Sequence, residues 1–429
     1  MENRNTLKAD FLSGNNDSLL LDVYLDENML PYLRERFAAA LDSFGENFSE
    51  DEVSIFSAPG RTEVGGNHTD HQHGKVLAAS INRDAIAVVS KSSKVNVISA
   101  AGGGRISIEV NDLAKKDDEE GTTASLIRGV LAGLTDRGYN IGGFNAYVTS
   151  DVLIGAGLSS SAAFETLIGT IISGLYNDMA VSPIEIAQIG QYAENVYFGK
   201  PCGLMDQMAS SVGSLVTIDF LDPAKPVVEK VDFDMAAHGY SLCITDTKAD
   251  HVNLTPDYAA VPAEMKAAAA VFGKEVLREV EPDEIIKNIP LIREKVSDRA
   301  ALRALHFITE NTRVDEQVAA LRKGDVAAFL AAVKASGDSS FKYLQNVYTN
   351  KDVDHQAVSI ALGVSDYCLN AGGKSHGVAR VHGGGFAGTI AAFVENGFVS
   401  EYKSAMDSLF GNGACNVLQI RKYGGIKLI

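Results

Sequence analysis

Beginning at Ser57, the stretch SAPGRTEVGGNHTDHQHG is dense in groups that do chemistry and poor in groups that fill a core. It holds Arg61, Glu63, Asn67, Asp70 and three histidines (His68, His71, His73) among four glycines. Such a set could hold a metal, a phosphate or a sugar. Zinc is the weakest of the three: residues 68, 71 and 73 lack helical i, i+4 spacing, and no distant Cys/His pair completes a tetrahedral set.

A second stretch, LIGAGLSSSAAFE, reads as a strand, a glycine turn and a helix that starts in serines. Gly155 and Gly157 let the backbone turn tightly, and the free N–H groups at the helix start favour an anion. Ser159, Ser160 and Ser161 add three hydroxyls. A third, GGGFAG from Gly383 to Gly388, satisfies G-x-G-x-x-G, but TIAAFV after it reads as a strand and no ribose-binding acid follows at the right distance, so the match is weak evidence for a dinucleotide fold. CLNAGGKSHG likewise ends in Gly-Lys-Ser but has Cys368 where a P-loop needs its first glycine. In GKPCGLMDQMASS, Asp206 follows Gly203 at the start of an expected helix, where a carboxylate is stabilised by the dipole whatever else it does.

In this fixed order, SAPGRTEVGGNHTDH, GAGLSSSAA and GGGFAGT resemble the three motifs of the small-molecule kinases that include homoserine, mevalonate and galactose kinases. The chain is most similar to the galactokinase family, whose G-R-x-N-x-I-G-E-H-x-D-Y signature falls on Gly60 to His71. The stretch Ala193, Glu194 and YFGKPCGLMDQ matches the family nearly whole, as does the helix with Arg303, His306, Glu310, Arg313 and Val314. The resemblance implies ATP and Mg²⁺ as cofactors and a small sugar as the partner substrate. It implies that Gly155, Gly157, Leu158, Ser159, Ser160, Ser161 and Ala162 hold ATP, with Ser161 and Glu194 on Mg²⁺. Asp206 would face the anomeric hydroxyl with Arg61 beside it, and Asn67, His68, Asp70, Gly203 and Tyr258 would bind the sugar.

The sequence departs from that pattern at Glu63 (Asn in the family), Gly65 (Ile), Asn67 (Glu), His71 (Tyr), Leu153 (Pro), His382 (Thr) and Ala387 (Gly). The family's aromatic shelf for adenine falls on Thr123 and Leu126. Asn67 bears most on the substrate. The family's Glu there accepts from the exocyclic hydroxyl of the sugar, whereas Asn keeps one acceptor, gains two donors and loses the charge. Galactose is the expected substrate, with galacturonate or another aldose as the alternative. A non-catalytic sugar and ATP sensor is the second class, disfavoured because GLSSSAA, Arg61 and Asp206 are all in place.

The elements that must position these groups are mixed. LPYLRERFAAALDSF reads as a helix, and VSIFSA, AIAVVS and VNVISA read as strands. SPIEIAQIGQYAENVYFGKP has Ser182 as N-cap, Pro183 at the first helical position, Glu185 closing a capping box and an apolar stripe of Ile186, Ile189, Ala193 and Val196. Helices and strands do not alternate strictly, which favours α+β. The family resemblance sharpens this to a two-domain kinase, with an N-terminal domain of the ribosomal-protein S5 domain-2 type (1–210), a C-terminal α+β domain (211–429) and the site in the cleft between them. At 429 residues, with 46% hydrophobic and 22% charged, the composition is that of a folded globular protein. A formal net charge of -17 argues against nucleic-acid and anionic-membrane partners. Four separated cysteines, no visible export signal and no apolar run of membrane-spanning length read as a cytoplasmic protein, with a monomer as the expected state.

Overall fold

The β-branched runs form strands that are buried on both faces, because alternate residues feed two different cores. The structure, a computed structural model, describes residues 1–152, 157–249 and 254–429. In chain order the strands are β1 (Glu2–Asn3), β2 (Glu52–Gly65), β3 (Lys75–Ser92), β4 (Val95–Ser99), β5 (Arg105–Ile108), β6 (Gly143–Ser150), β7 (Leu215–Asp219), β8 (Val227–Val231), β9 (Tyr240–Asp246), β10 (Gly377–Val381), β11 (Thr389–Glu395), β12 (Cys415–Leu418) and β13 (Ile426–Lys427).

Among the described residues the first sheet runs β1-β2-β3-β6-β4-β5, with β13 paired to β2 and the β7-β8 hairpin paired to β3. Phe56, Ala87, Val89 and Ala146 pack under the helices Thr123–Asp136, Ser160–Tyr176 and Pro183–Tyr192. On the opposite face Val53, Ile55, Ile86 and Val88 pack under the N-terminal helices, chiefly Leu30–Asn47. The second sheet runs β10-β11-β9-β12, antiparallel throughout. One of its faces shares a core with the first sheet: Leu77, Ala79 and Ile81 of β3 lie in the same cluster as Leu242, Ile244 and Phe393. The expected division at residue 210 therefore coincides with no break in a sheet, since β7, β8 and β13 lie beyond it and join the first sheet. Among the described residues no helix is long and apolar enough to cross a membrane.

One expected helix is corrected. Ser182 and Glu185 close the capping box and Pro183 leads, as read from sequence, but the α-helix ends at Tyr192. Ala193–Phe198 continue as a π-helical turn that stops at Gly199, with φ +82°. The wider turn shifts the register, so Tyr197 is buried and Val196, assigned to the apolar stripe, is exposed. Such turns often occur at functional sites, and this one carries Glu194. Replacing Ser182 with alanine removes the acceptor for the Glu185 N–H and is expected to cost about 1 kcal/mol, read as a shift in the urea midpoint.

Candidate active site

The first motif is a bulged strand end rather than a loop. β2 continues to Gly65, and its register with β3 slips between Pro59 and Arg61 and again between Glu63 and Gly65. A bulge re-aims the side chain it carries. Here the slip falls at Gly60, and Arg61, still opposite Ser80, donates its N–H to the Leu158 carbonyl at 3.1 Å. Its guanidinium grips Asp206 with two bonds, Nε to Oδ1 at 2.7 Å and Nη2 to Oδ2 at 2.6 Å, while Nη1 donates to the Gly157 carbonyl. Asp206 lies in the first turn of the helix Met205–Val212. Burial pushes its carboxyl up, but the Arg61 charge, the paired bonds from Arg61 and a bond from Ser159 outweigh burial and hold it below the ordinary range.

The second motif closes over the first and the third. Gly157 adopts φ +66°, and a methyl group there would come within 2.9 Å of Thr389 Oγ1 and 3.1 Å of His382 Nδ1. His382, in turn, bridges Thr62 Oγ1 at 3.0 Å and Thr389 Oγ1 at 2.9 Å. Burial and the charges of Arg61 and Arg380 push the His382 ring down to about 3, so it acts as a neutral spacer. The helix Ser160–Tyr176 starts without a side-chain cap and without an acid in its first turn. Its leading N–H groups are thus open to an anion. Leu158 and Ala162 are fully buried behind it, and Ser161 Oγ donates to Glu194 Oε1 at 3.3 Å. Gly155 lies outside the described residues.

Glu194 is held by Gln207 Nε2 at 2.9 Å and Lys200 Nζ at 3.0 Å. A second buried carboxyl, Glu165, accepts from the same Gln207 nitrogen at 3.1 Å. Burial and then the Glu194 charge push Glu165 well up, and its Oε1 has no hydrogen-bond partner. Sequence reading missed Glu165, although it stands in the same serine-led helix.

A cavity of about 1370 Å³ opens beside the serines. Ser160 and Ser161 line it, as do Thr122, Thr123, Leu126 and the loop Gly102–Gly104. Thr123 and Leu126, aligned with the family's adenine shelf, thus border this space, whose lining rings are Tyr32 and Phe164.

On the sugar side the expected residues divide. Asp70 packs directly against Gly203, where a side chain would strike its carboxylate. His68 and His71 have ring centroids 5.9 Å apart, and His68 Nε2 donates to the Gly384 carbonyl at 3.1 Å. Burial and the neighbouring His71 push His68 down to about 4, so its ring is neutral. Tyr258 donates to the Gly385 carbonyl at 2.7 Å and stacks edge-on against Phe386.

Asn67 is held differently. It is fully buried, and its amide N–H groups go to Glu63 at 3.0 Å and to the Gly383 carbonyl at 2.7 Å. Its carbonyl oxygen accepts from Asn346 at 2.8 Å and Ser340 at 3.2 Å, so no polar capacity is left for a sugar hydroxyl. His306 Nε2 fixes the Asn67 backbone carbonyl from behind at 2.9 Å. Nor has the negative charge left this corner. The family's Asn and Glu are exchanged between residues 63 and 67, and Glu63 meets Arg380 at 2.7 Å. Burial pushes Glu63 up to about 7 against the pull of Arg380. Arg380 was missed in the sequence; the exchange of acid and amide at 63 and 67 was the signal that a buried cation had to lie nearby. Among the described residues, no group of three or more His, Cys, Asp or Glu side chains could hold a metal ion by itself.

A model of the galactokinase galactose-binding signature matches residues 42–91, and the N-terminal domain of GHMP kinases matches residues 125–214. The chain is 31% identical to a galactokinase of Streptomyces coelicolor over 86% of its own length and 92% of that protein's. It is 30% identical to a galactokinase of Actinobacillus pleuropneumoniae, covering 85% and 91% of the two chains. Among solved structures, the Lactococcus lactis galactokinase complexed with galactose superposes with a TM-score of 0.77 at 25% identity, over 91% of this chain and 100% of that one. A mevalonate kinase, at 13% identity and a TM-score of 0.59, shares the fold. With its three motifs meeting at one arginine–aspartate pair, the chain belongs to the galactokinase family.

Proposed function

We propose that the protein transfers the terminal phosphoryl group of ATP to the anomeric (C1) hydroxyl of galactose, giving galactose 1-phosphate and ADP. The observation that carries this reading is the paired bond between Arg61 and Asp206 at the point where all three motifs meet. Phosphoryl transfer asks chiefly for positioning and charge stabilisation. Asp206 takes the C1 hydroxyl proton as the oxygen–phosphorus bond forms. Held low by Arg61, its carboxylate is a weak base at the outset. Proton transfer therefore comes late, once Arg61 turns its charge toward the transferring phosphoryl group and releases Asp206. Arg61 itself stays protonated throughout. Asp70, backed by Gly203, accepts from a vicinal diol, and His68 presents a neutral ring. The uncapped start of the serine helix receives the phosphates.

Ser161 and Glu194 would hold Mg²⁺. The donor set fits, because both are oxygen ligands and magnesium completes its shell with waters and phosphate oxygens. Bound there, the ion would neutralise phosphate charge as it moves to the leaving group. The free state of all four thiols, including the adjacent Cys243 and Cys415, supports a cytoplasmic setting.

Galacturonate fits less well than galactose. Arg380 is consumed by Glu63 and by the Val64 and Val381 carbonyls, leaving no free cation among the described residues of that corner for a second carboxylate. Kinase assays with ATP and galactose, galacturonate, N-acetylgalactosamine or arabinose test the reading. Galactose is expected to have the highest kcat/KM, and dominant turnover of galacturonate would overturn the choice of sugar.

A further inference from the structure

Arg83 stands apart from every group used above. It sits on β3 two residues before Ala85, so both side chains lie on the face that borders the large cavity. That part of β3 runs beside the end of β6, where Ala85 pairs with Ser150 and the Asp151 N–H donates to the Asp84 carbonyl at 2.9 Å. Arg83 therefore lies where the chain leaves β6 for the serine motif. It is half-buried, and its one side-chain hydrogen bond among the described residues is from Nη1 to the Met29 sulfur at 3.0 Å. Sulfur is a weak acceptor, and among the described residues no carboxylate pairs with it.

The rest of the lining sharpens the contrast. The ionisable Asp/Glu/Lys/Arg groups that border this cavity are Arg83 and Asp151. Asp151 is already taken by Arg36 at 3.2 Å and by the Tyr32 hydroxyl at 2.8 Å. Arg61 is bound to Asp206, and Lys200 to Glu194. A half-buried guanidinium turned to a cavity with only a thioether for company lacks the oxygen acceptors it is built to grip. In a chain of net charge -17 such a cation is also the local exception to a field that repels anions.

Resting on the reading of this cavity as the ATP site, we infer that Arg83 is a nucleotide-binding residue that grips the polyphosphate and leaves the Met29 sulfur to do so. The sugar side of the site does not depend on it.

Calorimetric titration of ATP, ADP, adenosine and galactose into the native protein, R83Q and R83K tests this, with steady-state KM values alongside. R83Q is expected to weaken ATP about tenfold or more, the scale of one charge-assisted contact. Adenosine and galactose affinities should stay within about twofold, since neither carries the charge that a guanidinium recognises. R83K should recover part of the loss. KM for ATP should rise while KM for galactose holds, and galactose binding certifies that the variants are folded. Unchanged ATP affinity in R83Q, or equal weakening of adenosine and ATP, would overturn the assignment. Failure of the native protein to bind ATP would instead overturn the reading on which it rests.

Discussion

Replacing Asp206 with alanine is expected to lower kcat at least about a thousandfold while sugar affinity stays within about tenfold, because a positioned base supplies roughly 10²–10⁴ in rate and here it also orients the arginine. Asp206 fixes Arg61 through both of its carboxylate oxygens, so the truncation removes a proton acceptor and loosens a charge at the same step. Asp206→Asn separates the two effects. The amide can still accept from Arg61 but takes no proton, and a loss close to that of alanine would assign most of the effect to the base. Arg61→Lys is the complementary change: it keeps the charge and cannot reproduce the two-pronged geometry. The measurement is kcat and KM for both substrates, with sugar binding followed separately. A D206A protein that keeps kcat within about tenfold of native would remove Asp206 from its assigned role.

The second large effect concerns stability. Asp84 is fully buried, and two arginines reach it from opposite ends of the chain. Arg36 Nη1 donates to Oδ1 at 2.7 Å and Arg421 Nη1 to Oδ2 at 3.0 Å. The Tyr24 hydroxyl adds a bond at 2.7 Å, and Ser57 another. Asp84→Ala leaves two buried guanidinium groups without their counter-charge, and breaking a buried ion pair in this way costs about 3–5 kcal/mol. The expected result is a fall in Tm of roughly 3–6 °C for a chain of this length, against about 1.5–3 kcal/mol for Tyr24→Phe, which removes one donor to the charged carboxylate. A D84A protein that melts within about 1 °C of native would mean that the arginines find other partners or water. The pH dependence has a definite sign. Burial raises the Asp84 carboxyl, but Arg36, Arg421 and the hydroxyl donors bring it below the ordinary value. Its contribution is therefore present above the unfolded carboxylate pKa and is lost as pH falls through the lower, folded one. Native protein should lose stability in acid with a slope that D84A lacks.

Much of the site could be read from residues alone because its signals are local. The capping box at Ser182 and Glu185, the glycine turn at Gly157 and the serine-led helix each need only a few consecutive positions. The strand that follows GGGFAG was legible for the same reason. What stayed hidden joins distant positions. Asn67 looked like a sugar contact because its spacing is the family's, yet Ser340, Asn346 and Gly383 consume its amide, and nothing near residue 67 announces them. The bulges that aim Arg61 depend on register with β3, which a motif written along one chain cannot express. The π-helical turn at Ala193–Phe198 was read as ordinary helix, since the same apolar residues serve either pitch until packing selects one.

The segment from Gln419 to Ile429 has a consequence of its own for synthesis. Ile420 bridges to Ile81, Arg421 reaches Asp84, and β13 pairs with β2, whose Ile55 carbonyl also takes the Leu428 N–H at 2.8 Å. Asp84 and Arg421 are 337 positions apart. At about 5–20 residues per second, a ribosome needs roughly 20–70 s to travel between them. Until that interval closes, the earliest-made sheet lacks β13 and its buried acid stays half neutralised. Severing the chain near residue 210 would make the wait permanent, so an isolated first half is a candidate for chaperone capture rather than a usable fragment.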